Sequence, residues 1–177
     1  MTNAPAIHRV WKIGSDIDTD QLAPGAYMKF GIDEIAKHCL QGIRPDFAGG
    51  ARPGDVLVAG ENFGIGSSRE QAAAALVALG LRAVLAPSYS GLYFRNAFNV
   101  GLLLLTCPRC GELEENERIA IDLDTDAPIV ARADGSALPC EPIPGFLLDM
   151  VRAGGLLNQL KHRLATGELA RHPMKAS

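Results

Sequence analysis

The residues best placed to do chemistry lie between Gly60 and Glu70, in Gly60-Glu61-Asn62-Phe63-Gly64-Ile65-Gly66-Ser67-Ser68-Arg69-Glu70. Three glycines let a backbone turn sharply and approach a ligand closely. Two adjacent hydroxyls and a guanidinium follow, where a helix is expected to begin. A helix N-terminus offers unbonded N–H groups and positive potential to an anion, and an arginine fork matches a carboxylate bidentately. The same residues also have a purely structural reading. Ser67-x-x-Glu70 fits a capping box, and an arginine in the first helical turn can be a solvated charge. Spacing alone leaves both open. Nucleotide motifs fail here, because Gly64-x-Gly66 lacks the third glycine of a dinucleotide fingerprint and no Gly-Lys-Ser/Thr ending makes a P-loop.

Two other clusters carry reactive groups. Ser15-Asp16-Ile17-Asp18-Thr19-Asp20 is a carboxylate-rich loop closed by a Pro24-Gly25 turn. Its carboxylates can serve a site or simply bind local N–H groups. Cys107-Pro108-Arg109-Cys110 is a CxxC, but a metal or cluster site needs three or four ligands, and no second CxxC or HxxxH supplies them. A redox CxxC normally opens a helix, whereas this one follows a strand and precedes the acidic turn 111–115. Cys39, Cys107, Cys110 and Cys140 are too sparse for a disulfide framework. They read as reduced thiols, and no metal is expected in this chain.

The surrounding pattern says what positions these groups. Val10–Ile13, Asp55–Ala59, Ala83–Ala86 and Leu102–Thr106 read as short, mostly buried strands. Ile32–Leu40, Glu70–Leu81 and Tyr89–Asn99 read as helices. Strands alternating with helices over short connections imply a right-handed parallel β/α core. Beyond residue 116 the pattern changes. Arg118–Asp122 alternates, Pro128–Ser136 predicts a hairpin with an Asp-Gly turn, and Phe146–Leu164 is helical but broken at Gly154-Gly155. The expectation is one α/β domain over 1–177, its core about 10–164, with an added antiparallel β element, a mobile start and a flexible tail over 165–177.

Composition narrows the function classes. Of 177 residues, 47% are hydrophobic and 21% charged, which excludes disorder and coiled coil. The net charge of −3 gives no footprint for nucleic acid. The longest apolar run, Leu102–Leu105, is far short of the roughly 20 residues that span a membrane. No apolar segment resembling a secretory signal opens the chain, so the cytoplasm is the expected compartment.

Asn62-Phe63-Gly64-Ile65-Gly66-Ser67-Ser68-Arg69-Glu70 closely resembles the signature of the swivelling domain of the aconitase superfamily. More narrowly, the chain resembles the small subunits of 3-isopropylmalate dehydratases. Supporting segments stand in the right order: Asp16–Asp20 with Pro24 and Tyr27, then Gly54–Ala59, Ala86-Pro87-Ser88, and Tyr93–Leu102. The likeness is strong from Val10 to Thr106 and loose beyond. Two departures loosen the substrate assignment: Gln71 stands where many members carry His, and Ile65 where many isopropylmalate enzymes carry Cys.

The resemblance implies an aconitase-type swivelling β/β/α domain and a hydro-lyase of leucine biosynthesis. Such an enzyme moves a hydroxyl between adjacent carbons of a hydroxy-dicarboxylate by dehydration and rehydration. It implies a large partner subunit, in a heterodimer or heterotetramer, carrying a [4Fe–4S] cluster as Lewis acid. Ser67 maps onto the catalytic base, Ser68 onto a substrate hydrogen-bonding serine, Arg69 onto the carboxylate clamp and Asp20 onto an active-site aspartate. Tyr27-Met28-Lys29-Phe30 falls where the family discriminates substrates, with Lys29 facing the γ-substituent or lying on the surface. Homoaconitate, dimethylmalate or another 2-alkyl-malate is the alternative substrate. A non-catalytic anion-binding assembly module is the alternative class, and the intact Ser-Ser-Arg unit argues against it.

Overall fold

The computed structural model describes residues 6–166. Seven strands form one sheet in the order β4-β3-β2-β1-β5-β6-β7: β1 (Ile7–Lys12), β2 (Val56–Val58), β3 (Ala83–Ala86), β4 (Leu103–Thr106), β5 (Arg118–Asp122), β6 (Ile129–Arg132) and β7 (Ala137–Pro139). β1 to β4 run parallel, and β5 to β7 continue the sheet antiparallel from the other side of β1. Thus β1 serves two neighbours: Val10, Trp11 and Lys12 pair with Val56, Leu57 and Val58, while Ile7, His8 and Arg9 pair with Ala120, Ile119 and Arg118.

The helices are α1 (Thr19–Leu22), α2 (Ile32–Lys37), α3 (Phe47–Gly50), α4 (Glu70–Ala78), α5 (Gly91–Asn99), α6 (Gly145–Arg152) and α7 (Leu156–Ala165). Every residue of β2 and β3 is buried, as are Leu103, Leu104 and Leu105 of β4. Continuous burial of this kind marks parallel strands covered on both faces. In the antiparallel half the burial is one-sided: Val130 and Leu138 are buried, while Ala131, Ala137 and Pro139 are exposed. The hairpin closes through Gly135, whose φ of 85° suits the Asp-Gly turn.

The parallel core, the antiparallel addition and the break at Gly154-Gly155 stand as the sequence predicts. The break has a packing reason too. Gly155 has φ 106°, and a Cβ there would lie 2.6 Å from the Asn99 carbonyl oxygen, so the α6–α7 corner rests directly on the end of α5.

One expectation is corrected. The mobile start is ordered from Ile7, because β1 begins there. His8 Nδ1 lies 2.7 Å from the Gly54 carbonyl, and Arg9 binds Asp55. Asp55 is a buried hub. It accepts from Arg9 Nη2 at 2.5 Å, Trp11 Nε1 at 2.9 Å and the Arg52 N–H at 2.9 Å. At the other end, α7 closes at Ala165 with Thr166 as its C-cap, where the tail is expected to begin. The rest of the expected tail, 167–177, lies outside the described residues, as do 1–5.

Candidate active site

Loops at the C-terminal edge of parallel strands are where open α/β sheets place ligand sites, and here three such loops are tied together. The loop after β2 lies between those after β1 and β3. On one side, Asp16 N–H donates to Glu61 O (2.8 Å), Gly64 N–H to Ile17 O (2.7 Å) and Thr19 N–H to Ile65 O (2.9 Å). On the other, Phe63 N–H donates to Ser88 O (3.1 Å) and Ser90 N–H to Phe63 O (2.9 Å). Phe63 is fully buried and meets the Tyr93 ring edge-on at 5.2 Å. Gly64 has φ 79°, and a Cβ there would sit 2.1 Å from the Tyr93 ring, so only glycine lets the loop close on this aromatic floor.

That loop delivers Ser67, Ser68 and Arg69 to the surface. The two serines are exposed and Arg69 is partly buried. The capping box that spacing allowed at Ser67 does not form. α4 begins at Glu70 with Arg69 as N-cap, and no side chain caps it. Ser67 instead faces α1: its N–H donates to Thr19 Oγ1 at 3.1 Å, and its Oγ lies 3.2 Å from the same oxygen. The capping box that does form is in the acidic loop. Asp18 accepts from the Gln21 N–H at 2.7 Å, and the Gln21 side chain accepts from the Asp18 N–H at 2.9 Å.

Arg69 reaches across to the same one-turn helix. Its Nη1 donates to Asp20 Oδ1 at 2.5 Å and to the Ala23 carbonyl at 3.2 Å. Asp20 also accepts the Gly25 N–H at 3.2 Å, so both readings of this carboxylate, local turn and charged partner, coexist. The Arg69 bond, reinforced by Gly25, holds the Asp20 carboxyl below its ordinary pKa. Ser68 is fixed through its carbonyl, which accepts from Asn96 Nδ2 on α5 at 3.0 Å. Its hydroxyl has no hydrogen-bond partner among the described residues. Ser67, Ser68, Arg69 and Asp20 are thus assembled together.

Lys29 is not tied to this group. It sits in a 3-10 turn, Gly25–Phe30, with its ammonium 4.9 Å from the Phe30 ring centre, and both side chains are exposed. The turn is anchored by Tyr27, whose ring stacks on His38 at 3.5 Å.

Ser67 and Ser68 lie on the exposed surface. A hollow of about 230 Å³ beside Asp18 and Asp20 borders the group. The larger hollows, 600–630 Å³, lie elsewhere: three adjoin α6, α7 or the turn between them, and the fourth lies over β5. These lack the Ser-Ser-Arg unit, so the hydroxyls and guanidinium rather than cavity size mark the site. Thr19 and Asn96 are the residues that sequence reasoning missed. Both lie within segments that resemble the family, but only the fold shows which atoms they hold.

The CxxC has a neighbour the spacing did not predict. Cys107 Sγ lies 3.9 Å from the Pro139 carbonyl, next to Cys140. Hydrogen bonds from Cys110 and then Cys140 lower the Cys107 pKa, while their bonds to Cys107 and burial raise those two. All four cysteines are free and buried. A third thiol therefore does approach the pair, although no three His, Cys, Asp or Glu side chains among the described residues could hold a metal ion. No helix of the described residues is long and apolar enough to cross a membrane.

Comparison with known proteins shows the family. Residues 50–110 match the aconitase C-terminal domain family. The small subunit 1 of 3-isopropylmalate dehydratase from Archaeoglobus fulgidus is 42% identical over 154 residues, covering 86% of this chain and 95% of the relative. The methanogen homoaconitase small subunit of Methanothermobacter thermautotrophicus is 39% identical, covering 90% and 92%. A crystal structure of 3-isopropylmalate dehydratase (LeuD) from Methanocaldococcus jannaschii superposes with TM-score 0.84 at 38% identity, covering 93% and 98%. With this identity along nearly the whole of each relative, the chain belongs to the family of 3-isopropylmalate dehydratase small subunits, within the aconitase superfamily.

Proposed function

We propose that this chain, joined to a large subunit, interconverts 2-isopropylmalate and 3-isopropylmalate by dehydration and rehydration. The observation that carries this reading is the free edge of Arg69. Nη1 has two hydrogens, and Asp20 and Ala23 occupy both. Nε and Nη2 remain as a planar fork, one residue from a free serine hydroxyl and two from Ser67. A fork of this kind is suited to a carboxylate.

In the forward step Ser67, ionised, accepts the proton from the carbon next to a substrate carboxylate. The C–H bond breaks, an O–H bond forms on Ser67, and the electron pair left on carbon forms the double bond as the hydroxyl departs. Arg69 and Ser68 hold a carboxylate so that this carbon faces Ser67, which converts an encounter into a positioned reaction. The open surface around the serines suits a site completed by a second chain. A [4Fe–4S] cluster supplies a Lewis acid for the departing hydroxyl. The described residues offer no ligand set for it, so we assign it to the large subunit and derive no step through it. The free thiols suit a reducing compartment, and we place the chain in the cytoplasm.

A second substrate has its own support: a 39% identical relative is a homoaconitase small subunit, and Lys29 offers a cation for a γ-carboxylate. Turnover of the reconstituted two-subunit enzyme on a panel of 2-substituted malates tests both. Isopropylmalate is expected to be the best substrate. Preference for homoaconitate establishes the second reading, and turnover of none of them overturns the hydro-lyase assignment.

A further inference from the structure

We propose that Thr19 is a positioning residue for the reaction: its buried hydroxyl donates a hydrogen bond to Ser67 Oγ and stabilises that oxygen when it is ionised. This rests on the assignment of Ser67 as the base. Thr19 is 2% exposed, one of few buried polar side chains among the described residues. A hydroxyl has one hydrogen and two lone pairs. The Ser67 N–H, at 3.1 Å, takes a lone pair. The other contact of Thr19 Oγ1 is Ser67 Oγ, at 3.2 Å. If Ser67 donated across it, the Thr19 hydrogen would be left buried without an acceptor, which is costly. If Thr19 donates, both of its contacts are satisfied and the Ser67 proton points to the exposed side, where it can leave to water.

A serine alkoxide is strongly basic and in water is barely populated at neutral pH. A fixed donor aimed at the oxygen favours the ionised form, and a neutral O–H···O contact of 3.2 Å has room to shorten once charged. Thr19 keeps its own proton throughout, while the proton taken from substrate ends on Ser67. The donor is held rigidly from three directions. Thr19 N–H is bonded to Ile65 O, Thr19 O accepts the Ala23 N–H, and Asp18 caps the helix that Thr19 opens. Gly66 makes the approach possible, because a Cβ there, at φ 107°, would stand 3.0 Å from Thr19 Oγ1.

The test compares Thr19→Val, Thr19→Cys and Thr19→Ser in the assembled two-subunit enzyme with 3-isopropylmalate as substrate. Loss of a preorganised donor predicts a fall in kcat of about 100-fold for Thr19→Val, with KM little changed. It also predicts an acid limb of the pH–rate profile displaced to higher pH. Thr19→Cys, a weaker donor of similar size, falls between, and Thr19→Ser restores both kcat and the limb. A wild-type kcat and pH profile in Thr19→Val overturns the proposal. If that variant fails to assemble, a wild-type profile in Thr19→Cys overturns it equally, as does a loss in Thr19→Ser matching that in Thr19→Cys. Ser67→Ala in the same assay separates the two claims. If it stays active, the assignment of Ser67 itself is wrong; if it is inactive while Thr19→Val is normal, only the role of Thr19 falls.

Discussion

Arg69 and Asp20, 49 positions apart, form a 2.5 Å ion pair that uses one hydrogen of Arg69 Nη1, and the Ala23 carbonyl takes the other. The one-turn helix α1 therefore orients both halves of the Ser-Ser-Arg unit, Ser67 through Thr19 and Arg69 through Asp20 and Ala23. The acidic loop is a jig for the loop after β2 as much as a source of carboxylates.

Arg69→Lys keeps the charge but cannot hold Asp20 and a substrate carboxylate on separate edges of one plane. Substrate engagement is expected to weaken by about 1.5–3 kcal/mol, the range for hydrogen bonds to charged groups. A KM series on the assembled enzyme measures it. Asp20→Asn should raise KM less, because Ala23 still anchors Nη1. Equal losses in the two variants would show that Asp20 itself touches substrate.

Ser67→Ala removes the proposed base but no helix cap, since Arg69 is the N-cap of α4 and the Ser67 hydroxyl faces Thr19. Turnover is expected to disappear, with a stability cost of about 1–3 kcal/mol, because the buried Thr19 hydroxyl loses its acceptor. Thermal melts measure that cost and kcat measures the chemistry, and a retained kcat would remove Ser67 from the chemistry.

Lys29→Leu should leave isopropylmalate turnover within a few-fold. Its ammonium rests on the exposed Phe30 ring, and an alkyl substituent needs only the apolar stem. If the enzyme acts on a γ-carboxylate, the same variant should lose kcat/KM for homoaconitate-type substrates sharply. Indifference of both substrates would place Lys29 outside the site.

Asp55→Asn should destabilise the domain by about 1.5–3 kcal/mol, the range for hydrogen bonds to a charged group. Burial on its own raises the Asp55 pKa, but the bonds from Arg9, Trp11 and the Arg52 N–H outweigh it and hold the carboxyl below its ordinary value. A depressed folded-state pKa contributes stability that is present above the unfolded carboxylate pKa of about 3.9 and is lost as pH falls through the folded value. Urea melts from pH 7 down to pH 3 should show the wild type losing this contribution at the acid end and Asp55→Asn changing less. Parallel curves would mean that Asp55 is not ionised in the fold.

Much of this protein is legible along the chain because the relevant forces are local. The buried runs at 56–58, 83–86 and 103–105 declare strands covered on both faces, the Asp-Gly turn declares a hairpin, and Gly154-Gly155 breaks a helix, since each depends on residues within a few positions. The Ser-Ser-Arg unit is visible for the same reason. What the tertiary structure decided is every relationship that closes a long loop: Arg9 with Asp55, Cys140 beside the CxxC, Asp20 with Arg69, and Thr19 under Ser67. The Ser67 cap shows the difference most plainly. Spacing made a local hydrogen bond to α4 available, but the pairing of 17–19 with 64–67 offered Ser67 a buried hydroxyl across the loop, and that contact displaced the local one. Hydrogen-bonding groups choose partners by position in space, and only the assembled sheet brings those partners within reach.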